Sequence, residues 1–172
     1  MSTINAEQLI ERLENMAGAL PAFLRGLCDD EVTWKPNPGE WSILEVCCHL
    51  ADEENEDFRP RLQSTLTDPS AEWPPLDLEG VAERRGYNSR DLIQVLDHFA
   101  TARRANALWL RSLESPDWER AHTHPKLGAI RAGDLLAAWA AHDAIHIRQI
   151  SKRLLGLALR DSGMFSATYA QP

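Results

Sequence analysis

Apolar residues recur at intervals of three and four along four stretches of this chain, and this spacing predicts four amphipathic helices. The first helix is expected over residues 5–27, and it begins with a capping pattern formed by Asn5 and Gln8. Pro21 lies inside this stretch and predicts a kink or an early end, because proline lacks the amide proton that a helix uses. No stretch has the alternation of apolar and polar residues that would convincingly predict a strand.

Capping residues and prolines also mark the remaining helices. The other three helices are expected over residues 42–66, 89–113 and 132–156. Ser42 and Glu45 form a capping box at the beginning of the second helix, and Ser89 can cap the third. Pro60 is expected to bend the second helix near its end.

The connections between these helices differ in length, and this difference bears on the topology. The segment over residues 67–88 is rich in proline and glycine and contains one expected helical turn between Leu78 and Arg85. Such a long connection can cross a bundle and place the two helices it joins parallel to each other. We therefore expect an all-α, four-helix bundle with a long crossover between helices 2 and 3. Residues 116–130 are expected to form a surface loop.

Composition narrows the function classes. The chain has 172 residues, 44% of them hydrophobic, which fits a single domain over residues 1–172. A net charge of -8 disfavours nucleic acid and anionic membranes as partners. The polar beginning of the chain and the absence of a long apolar run predict a cytoplasmic protein. The three cysteines form no CxxC motif, and the adjacent Cys47 and Cys48 are expected in the core.

His142 and His146 are the first candidates for chemistry. They are four residues apart in the last predicted helix, so both lie on its apolar face. Buried imidazoles need partners, and either a divalent metal or other side chains can provide them. His49 lies at the edge of the apolar stripe of the second helix, so periodicity leaves its role open. His98 is expected to be solvated.

Two motifs resemble the signatures of a known family. The first comprises Trp34, Pro38, Trp41, Ser42, Glu45, His49, Leu50, Ala51 and Asp52, and the second comprises Trp118, His124, Pro125, Gly128, Asp134, Leu135, Leu136, His142, Asp143, His146, Gln149 and Ile150. In this order they resemble the DinB/YfiT-like family over nearly the whole chain. The resemblance implies a four-helix bundle in up-down-down-up order. It also implies that His49, His142 and His146 bind a divalent metal.

A site with three histidine ligands leaves a coordination position open, which is typical of catalytic rather than structural zinc. Zinc or nickel is the expected metal, with iron or manganese as further candidates. The resemblance implies a thiol-dependent S-transferase or isomerase that acts on a small molecule with a low-molecular-weight thiol. A metal-dependent hydrolase and a non-enzymatic, stress-related binding protein are the alternative functions. A homodimer is the candidate oligomeric state. Glu53 and Gln149 are candidates for proton handling or for orienting the site.

Overall fold

The computed structural model describes residues 4–76 and 79–170. Within these ranges the helices are α1 (Ala6–Phe23), α2 (Asp29–Thr33), α3 (Ile43–Glu56), α4 (Phe58–Thr67), α5 (Val81–Arg84), α6 (Leu92–Arg111) and α7 (Ala132–Asp161), and the strands are β1 (Ala121–His124) and β2 (Gly128–Arg131). Short 3-10 turns cover Tyr87–Ser89 and Thr168–Ala170. The predicted predominance of helix is therefore confirmed.

The long helices pack side by side around a shared core. Helix α1 contacts α6 and α7, α3 contacts the same two helices, and α4 contacts α7. No helix among the described residues combines the length and the apolar character needed to cross a bilayer.

Both predicted capping patterns at the beginning of the first two long helices are present. The Asn5 side chain accepts a hydrogen bond from the Gln8 amide at 3.2 Å. At the beginning of α3, the Glu45 amide donates to Ser42 Oγ at 3.1 Å, and the Ser42 amide donates to Glu45 Oε2 at 2.9 Å. These bonds satisfy amide groups that have no partner within the helix.

The second predicted helix is divided, and the expectation of one helix bent near its end is wrong. Helix α3 ends at Glu56, Asp57 has φ -122° and ψ -80°, and α4 begins at Phe58. A proline ring clashes with the carbonyl four residues earlier, which for Pro60 is that of Glu56. The proline therefore acts one turn upstream of its own position.

Three other predicted helix boundaries shift in the structure. Helix α1 ends at Phe23 rather than at residue 27, two residues after the proline that predicted an early end. Helix α6 is capped by Asp91 rather than Ser89, because the Asp91 side chain accepts from the Gln94 amide at 2.8 Å. Helix α7 continues five residues beyond Gly156 to Asp161.

Residues 121–131 form a two-stranded antiparallel hairpin, so the expectation of a chain without strands is wrong here. The pairing runs from Ala121 opposite Arg131 to His124 opposite Gly128. Gly128 has φ +74°, a conformation that glycine adopts without strain. The Ala132 amide then donates to the Arg120 carbonyl at 2.9 Å, which ties the hairpin to the beginning of α7.

The connection between α4 and α6 contains the expected turn of helix, here α5. Leu78, where that turn was expected to begin, lies outside the described residues. Gly80 and Gly86 flank α5 with φ +65° and +58°.

The apolar core consists of two clusters with a polar layer between them. Leu20, Leu50, Phe99 and Ile150 belong to one cluster. Leu13, Phe58, Leu110 and Trp139 belong to the other. On α3, α6 and α7, the residues between these positions include buried polar side chains, namely Glu53, Glu54, Arg103, Asn106, Asp143 and His146. The candidate site lies in this layer.

Candidate metal centre

The fold brings together His49 of α3 and the pair His142 and His146 of α7. Their nearest ring nitrogens all lie within 4.8 Å of one another. His142 Nε2 is 3.2 Å from His49 Nε2 and 3.0 Å from His146 Nε2. His49 and His146 are only 5% and 8% exposed, so the nitrogens converge in an interior space.

Hydrogen bonding alone does not satisfy this cluster. His146 Nδ1 donates to Gln149 Oε1 at 2.9 Å, which leaves the lone pair of its neutral ring on Nε2, facing His142. One imidazole nitrogen makes one in-plane hydrogen bond, as donor or acceptor. At most one of the two contacts of His142 Nε2 is therefore a hydrogen bond. A cation shared by the three nitrogens removes this conflict, because each can then direct a lone pair to it.

The spacing of the nitrogens also fits a metal. In a tetrahedral site with zinc–nitrogen bonds of about 2.0–2.1 Å, two ligand nitrogens lie about 3.3 Å apart. Burial, followed by repulsion from neighbouring imidazoles, lowers the pKa of His49 to about 4 and that of His142 to about 3. Burial likewise lowers the pKa of His146, against the hydrogen bond to Gln149 that raises it. All three rings are therefore neutral near pH 7, as metal ligands must be.

Glu53 lies next to the site, one helical turn after His49. Its Oε1 atom is 3.6 Å from His49 Nδ1, which is too long for a hydrogen bond. Burial, with a hydrogen bond to Asp57 as the next cause, raises the pKa of Glu53 to about 8. A carboxyl group with this pKa exchanges its proton near neutral pH.

The remaining histidines are separate from this cluster. His98 is exposed on α6, as expected. His122 and His124 lie on β1 rather than in an irregular surface loop, and His122 is only 6% exposed. The loop expectation for these two residues is wrong because hairpin pairing holds β1 and turns His122 inward.

Beneath the histidines, a buried arginine joins the helices that carry them. Arg103 of α6 donates to both carboxylate oxygens of Asp143, at 2.5 and 2.9 Å, and to Glu54 Oε1 at 2.6 Å. Trp139 Nε1 also donates to Glu54 Oε1, at 2.9 Å. Asp143 follows His142 directly and Glu54 lies five residues after His49, so Arg103 fixes the spacing of α3 and α7 at the site.

Neither Arg103 nor Glu54 was among the residues predicted for the site. A signal for Arg103 was present, because it lies on the apolar stripe of α6 that includes Leu96, Phe99 and Leu110, where an arginine needs a buried partner. Glu54 lacked such a signal, because it shares its helix with the neighbouring acidic residues 52, 53 and 56.

Aromatic rings enclose the histidines on two sides. The Trp41 ring centroid is 5.0 Å from that of His49, and the Phe58 centroid is 5.1 Å from that of His142, both edge to face. Cys47 and Cys48 are fully buried, which confirms their expected place in the core. Burial raises the pKa of Cys48 to about 12, so its thiol stays protonated and is a poor nucleophile.

A helical bundle in which two helices bring three neutral histidines together defines a class of candidate metalloprotein. A family model, described as the DinB superfamily, matches residues 12–150. The chain belongs to the DinB superfamily.

Comparison with solved structures supports the fold. YfiT from Bacillus subtilis, described as "a probable metal-dependent hydrolase with an unusual four-helix bundle topology", matches with a TM-score of 0.81. The two chains are 21% identical, and the match covers 92% of this chain and 90% of that one. A search of curated proteins found no significant match.

Proposed function

We propose that this protein is a metal-dependent enzyme in which His49, His142 and His146 hold one divalent cation. The observation that carries the proposal is the approach of three unprotonated imidazole nitrogens to within 4.8 Å in a buried layer. Zinc and nickel suit these nitrogen donors, with iron or manganese as further candidates. With three protein ligands, a position stays open for a water molecule or a substrate.

Hydrolysis is the reaction that we propose first. A divalent cation at this site supplies Lewis acidity, which activates a nucleophile and polarises a carbonyl or related group. The description of YfiT as a probable metal-dependent hydrolase supports this choice for a chain with the same fold. Thiol-dependent transfer or isomerisation stays a prediction, because no contact among the described residues selects a thiol over water.

The space beside His49 suits a small substrate. A cavity of about 250 Å³ is lined by His49, Glu53 and Tyr87, among others. Tyr87 Oη donates to Asp52 Oδ2 at 2.5 Å, and Arg85 pairs with the same carboxylate. These contacts hold the polar wall of the cavity in place. An accessible cavity next to the site favours an enzyme over a structural bundle in which other side chains occupy the space next to the histidines.

Glu53 and Gln149 have different proposed roles. Glu53 lines the cavity and has a pKa of about 8, which suits a group that takes and returns a proton during hydrolysis near neutral pH. Gln149 accepts a hydrogen bond from His146 Nδ1 and so orients this ring with Nε2 toward the site. We propose Glu53 as the general base and Gln149 as the orienting residue.

We also propose that the long helices follow the up-down-down-up order. At the beginning of α3, Ser42 Oγ donates to Asn88 Oδ1 at 2.6 Å. Asn88 lies just before the first residue of α6. Near the end of α3, Asn106 of α6 donates to Glu54 Oε2 at 3.0 Å. The beginning of α3 thus contacts the beginning of α6, and the end of α3 contacts the later part of α6. These contacts support a parallel arrangement of the two helices, which requires the segment between them to cross the bundle.

Metal analysis tests the site. Protein reconstituted with zinc or nickel should bind about one equivalent per chain, and His142→Ala or His146→Ala should lose most of it, because each removes one of three ligands. Inductively coupled plasma mass spectrometry after gel filtration measures the ratio. His98→Ala is the matched control and should keep the full equivalent. Unchanged metal content in the first two variants would refute the site.

Activity separates the reactions. A panel of small esters, amides and lactones should reveal hydrolysis that disappears with chelator and returns with metal. In Glu53→Gln, kcat should fall and the limb of the pH profile that reports the general base should be lost, while metal content stays at one equivalent. Turnover that instead requires a low-molecular-weight thiol would favour the transferase. A fully metallated protein without either activity would favour a binding protein.

A further inference from the structure

A second buried arginine, Arg153, joins α7 to the segment that precedes α3. Its side chain is only 3% exposed, and an arginine this deeply buried needs partners. Arg153 Nε donates to the carbonyl oxygen of Trp41 at 2.6 Å, and a terminal nitrogen donates to Glu40 Oε1 at 3.1 Å. Trp41 directly precedes Ser42, the residue that caps α3. Arg153 therefore ties the beginning of α3 to α7.

The Trp41 ring extends this connection to the candidate metal centre. Its centroid lies 5.0 Å from that of His49, with 62° between the two planes. On α7, Arg153 follows His146 by seven residues, which is about two turns and returns to the same face of the helix. Arg153 thus links the helix that carries two of the histidines to the ring that contacts the third.

His49 lacks the kind of hydrogen bond that fixes His146. Gln149 accepts from His146 Nδ1 and holds that ring, as such acceptors commonly do for metal-binding histidines. His49 Nδ1 has no hydrogen-bond partner among the described residues, since Glu53 Oε1 lies 3.6 Å away. The orientation of His49 therefore depends on packing, and in the described part of the chain Trp41 supplies the ring contact from outside the cluster.

We propose that Arg153 is a positioning residue of the metal centre. By holding the backbone of Trp41, it keeps the indole ring against His49. This contact in turn keeps Nε2 of His49 directed toward the other two histidines. The proposal rests on the three-histidine site proposed above, and Arg153 acts there through Trp41 rather than at the metal. Loss of a supporting contact of this kind weakens metal binding by about 10–100-fold.

Zinc affinity measures the effect. The full chain is treated with chelator, freed of it, and titrated with zinc in competition with a chromophoric chelator. Arg153→Met should bind zinc about tenfold more weakly than the wild type while still reaching about one equivalent at saturation. Lys152→Met is the matched control, because Lys152 pairs with the same oxygen of Glu40 at 3.2 Å but is 71% exposed. This variant should bind zinc as tightly as the wild type.

A double-mutant cycle tests the route through Trp41. Trp41→Leu removes the ring but keeps the backbone carbonyl, and it should weaken zinc binding at least as much as Arg153→Met. If the arginine acts through this ring, combining the two substitutions should cause little further loss. Losses that multiply, to about a hundredfold in the double variant, would show that Arg153 does not act through Trp41 and would overturn the proposal.

A measurement on the metal-free protein separates this proposal from metal binding. At neutral pH, the carbon-bound protons of the His49 ring are identified in NMR spectra by their absence from His49→Ala. The ring current of Trp41 should shift these signals, since the two rings are in contact. Trp41→Leu should therefore move them, Arg153→Met should move them in the same direction, and Lys152→Met should leave them in place.

Circular dichroism checks that each variant keeps its helices. Arg153→Lys replaces Arg153→Met if the latter loses helix content. One ammonium group cannot reproduce the two separate bonds of the guanidinium, so Arg153→Lys should also bind zinc more weakly and move the His49 signals.

The outcomes distinguish this proposal from the proposed function. Wild-type zinc affinity in a folded Arg153 variant, or unchanged His49 signals in its metal-free form, would overturn the positioning role and leave the metal site intact. A wild-type protein that binds no zinc or other divalent metal would refute the metal site. The His49 signals would then still show whether Arg153 holds this ring in place.

Discussion

Replacing Arg103 with methionine tests the polar layer that supports the candidate site. The side chains of Arg103, Glu54 and Asp143 are 1%, 1% and 4% exposed. Methionine fills part of the space but leaves two carboxylates buried without their cation. Breaking a buried ion pair in this way costs about 3–5 kcal/mol. For a chain of this size the melting temperature should fall by roughly 6–20 °C, at about 2–4 °C for each kcal/mol.

Thermal unfolding followed by circular dichroism at 222 nm, with chelator in every sample, measures the effect. Arg111→Met is the matched control. Arg111 lies on the same helix and also pairs with two carboxylates, those of Glu7 and Glu14, but at the exposed surface. Exposed pairs contribute little, because water and salt screen them, so this variant should melt close to the wild type.

Two experiments can check why Arg103→Met loses stability. Adding Glu54→Gln and Asp143→Asn to Arg103→Met removes the unpaired charges and should recover much of the stability. Lowering the pH toward 4 should also narrow the difference from the wild type, since burial raises the pKa of Asp143 and its protonation removes an unpaired charge. If Arg103→Met melts within about 2 °C of the wild type, the reasoning from buried ion pairs is wrong.

Two further predictions concern stability. In metal-free protein the folded pKa values of His49 and His142, about 4 and about 3, lie below the ordinary 6.5, so the unfolded chain binds more protons in acid. The two histidines should therefore lower the stability by a few kcal/mol as the pH falls from 6.5 toward 4 in urea titrations. The raised pKa of Glu53 offsets part of this loss, because the folded chain holds that proton up to about pH 8. A flat profile would contradict the lowered pKa values. Gly156→Ala should be less stable than Gly18→Ala by about 1 kcal/mol or more. A Cβ at Gly156 lies 3.0 Å from the Trp34 ring, whereas a Cβ at Gly18 has nothing within 4 Å. Equal melting temperatures of the two variants would show that the Trp34 ring moves aside.

Much of the helical architecture could be predicted from sequence because its signals are local. The spacing of apolar residues identifies the buried face of each long helix, and the caps at Asn5 and Ser42 mark where helices begin. Pro60 predicted only a bend, whereas the helix is broken at Asp57, one turn earlier. The hairpin was missed because four-residue strands such as β1 and β2 are stabilised by their pairing, and neither has an apolar alternation of its own.

For the site, the sequence by itself determined that His142 and His146 share one face of a helix, since four residues make about one turn. It left His49 ambiguous, because periodicity says which face is buried and not which helix covers it. Only the tertiary structure decided that His49 faces the other two and that Arg103 pairs with both Glu54 and Asp143. It also placed the Arg153 side chain at the carbonyl group of Trp41. These contacts join residues that are distant in the chain, and the packing of separate elements brings them together.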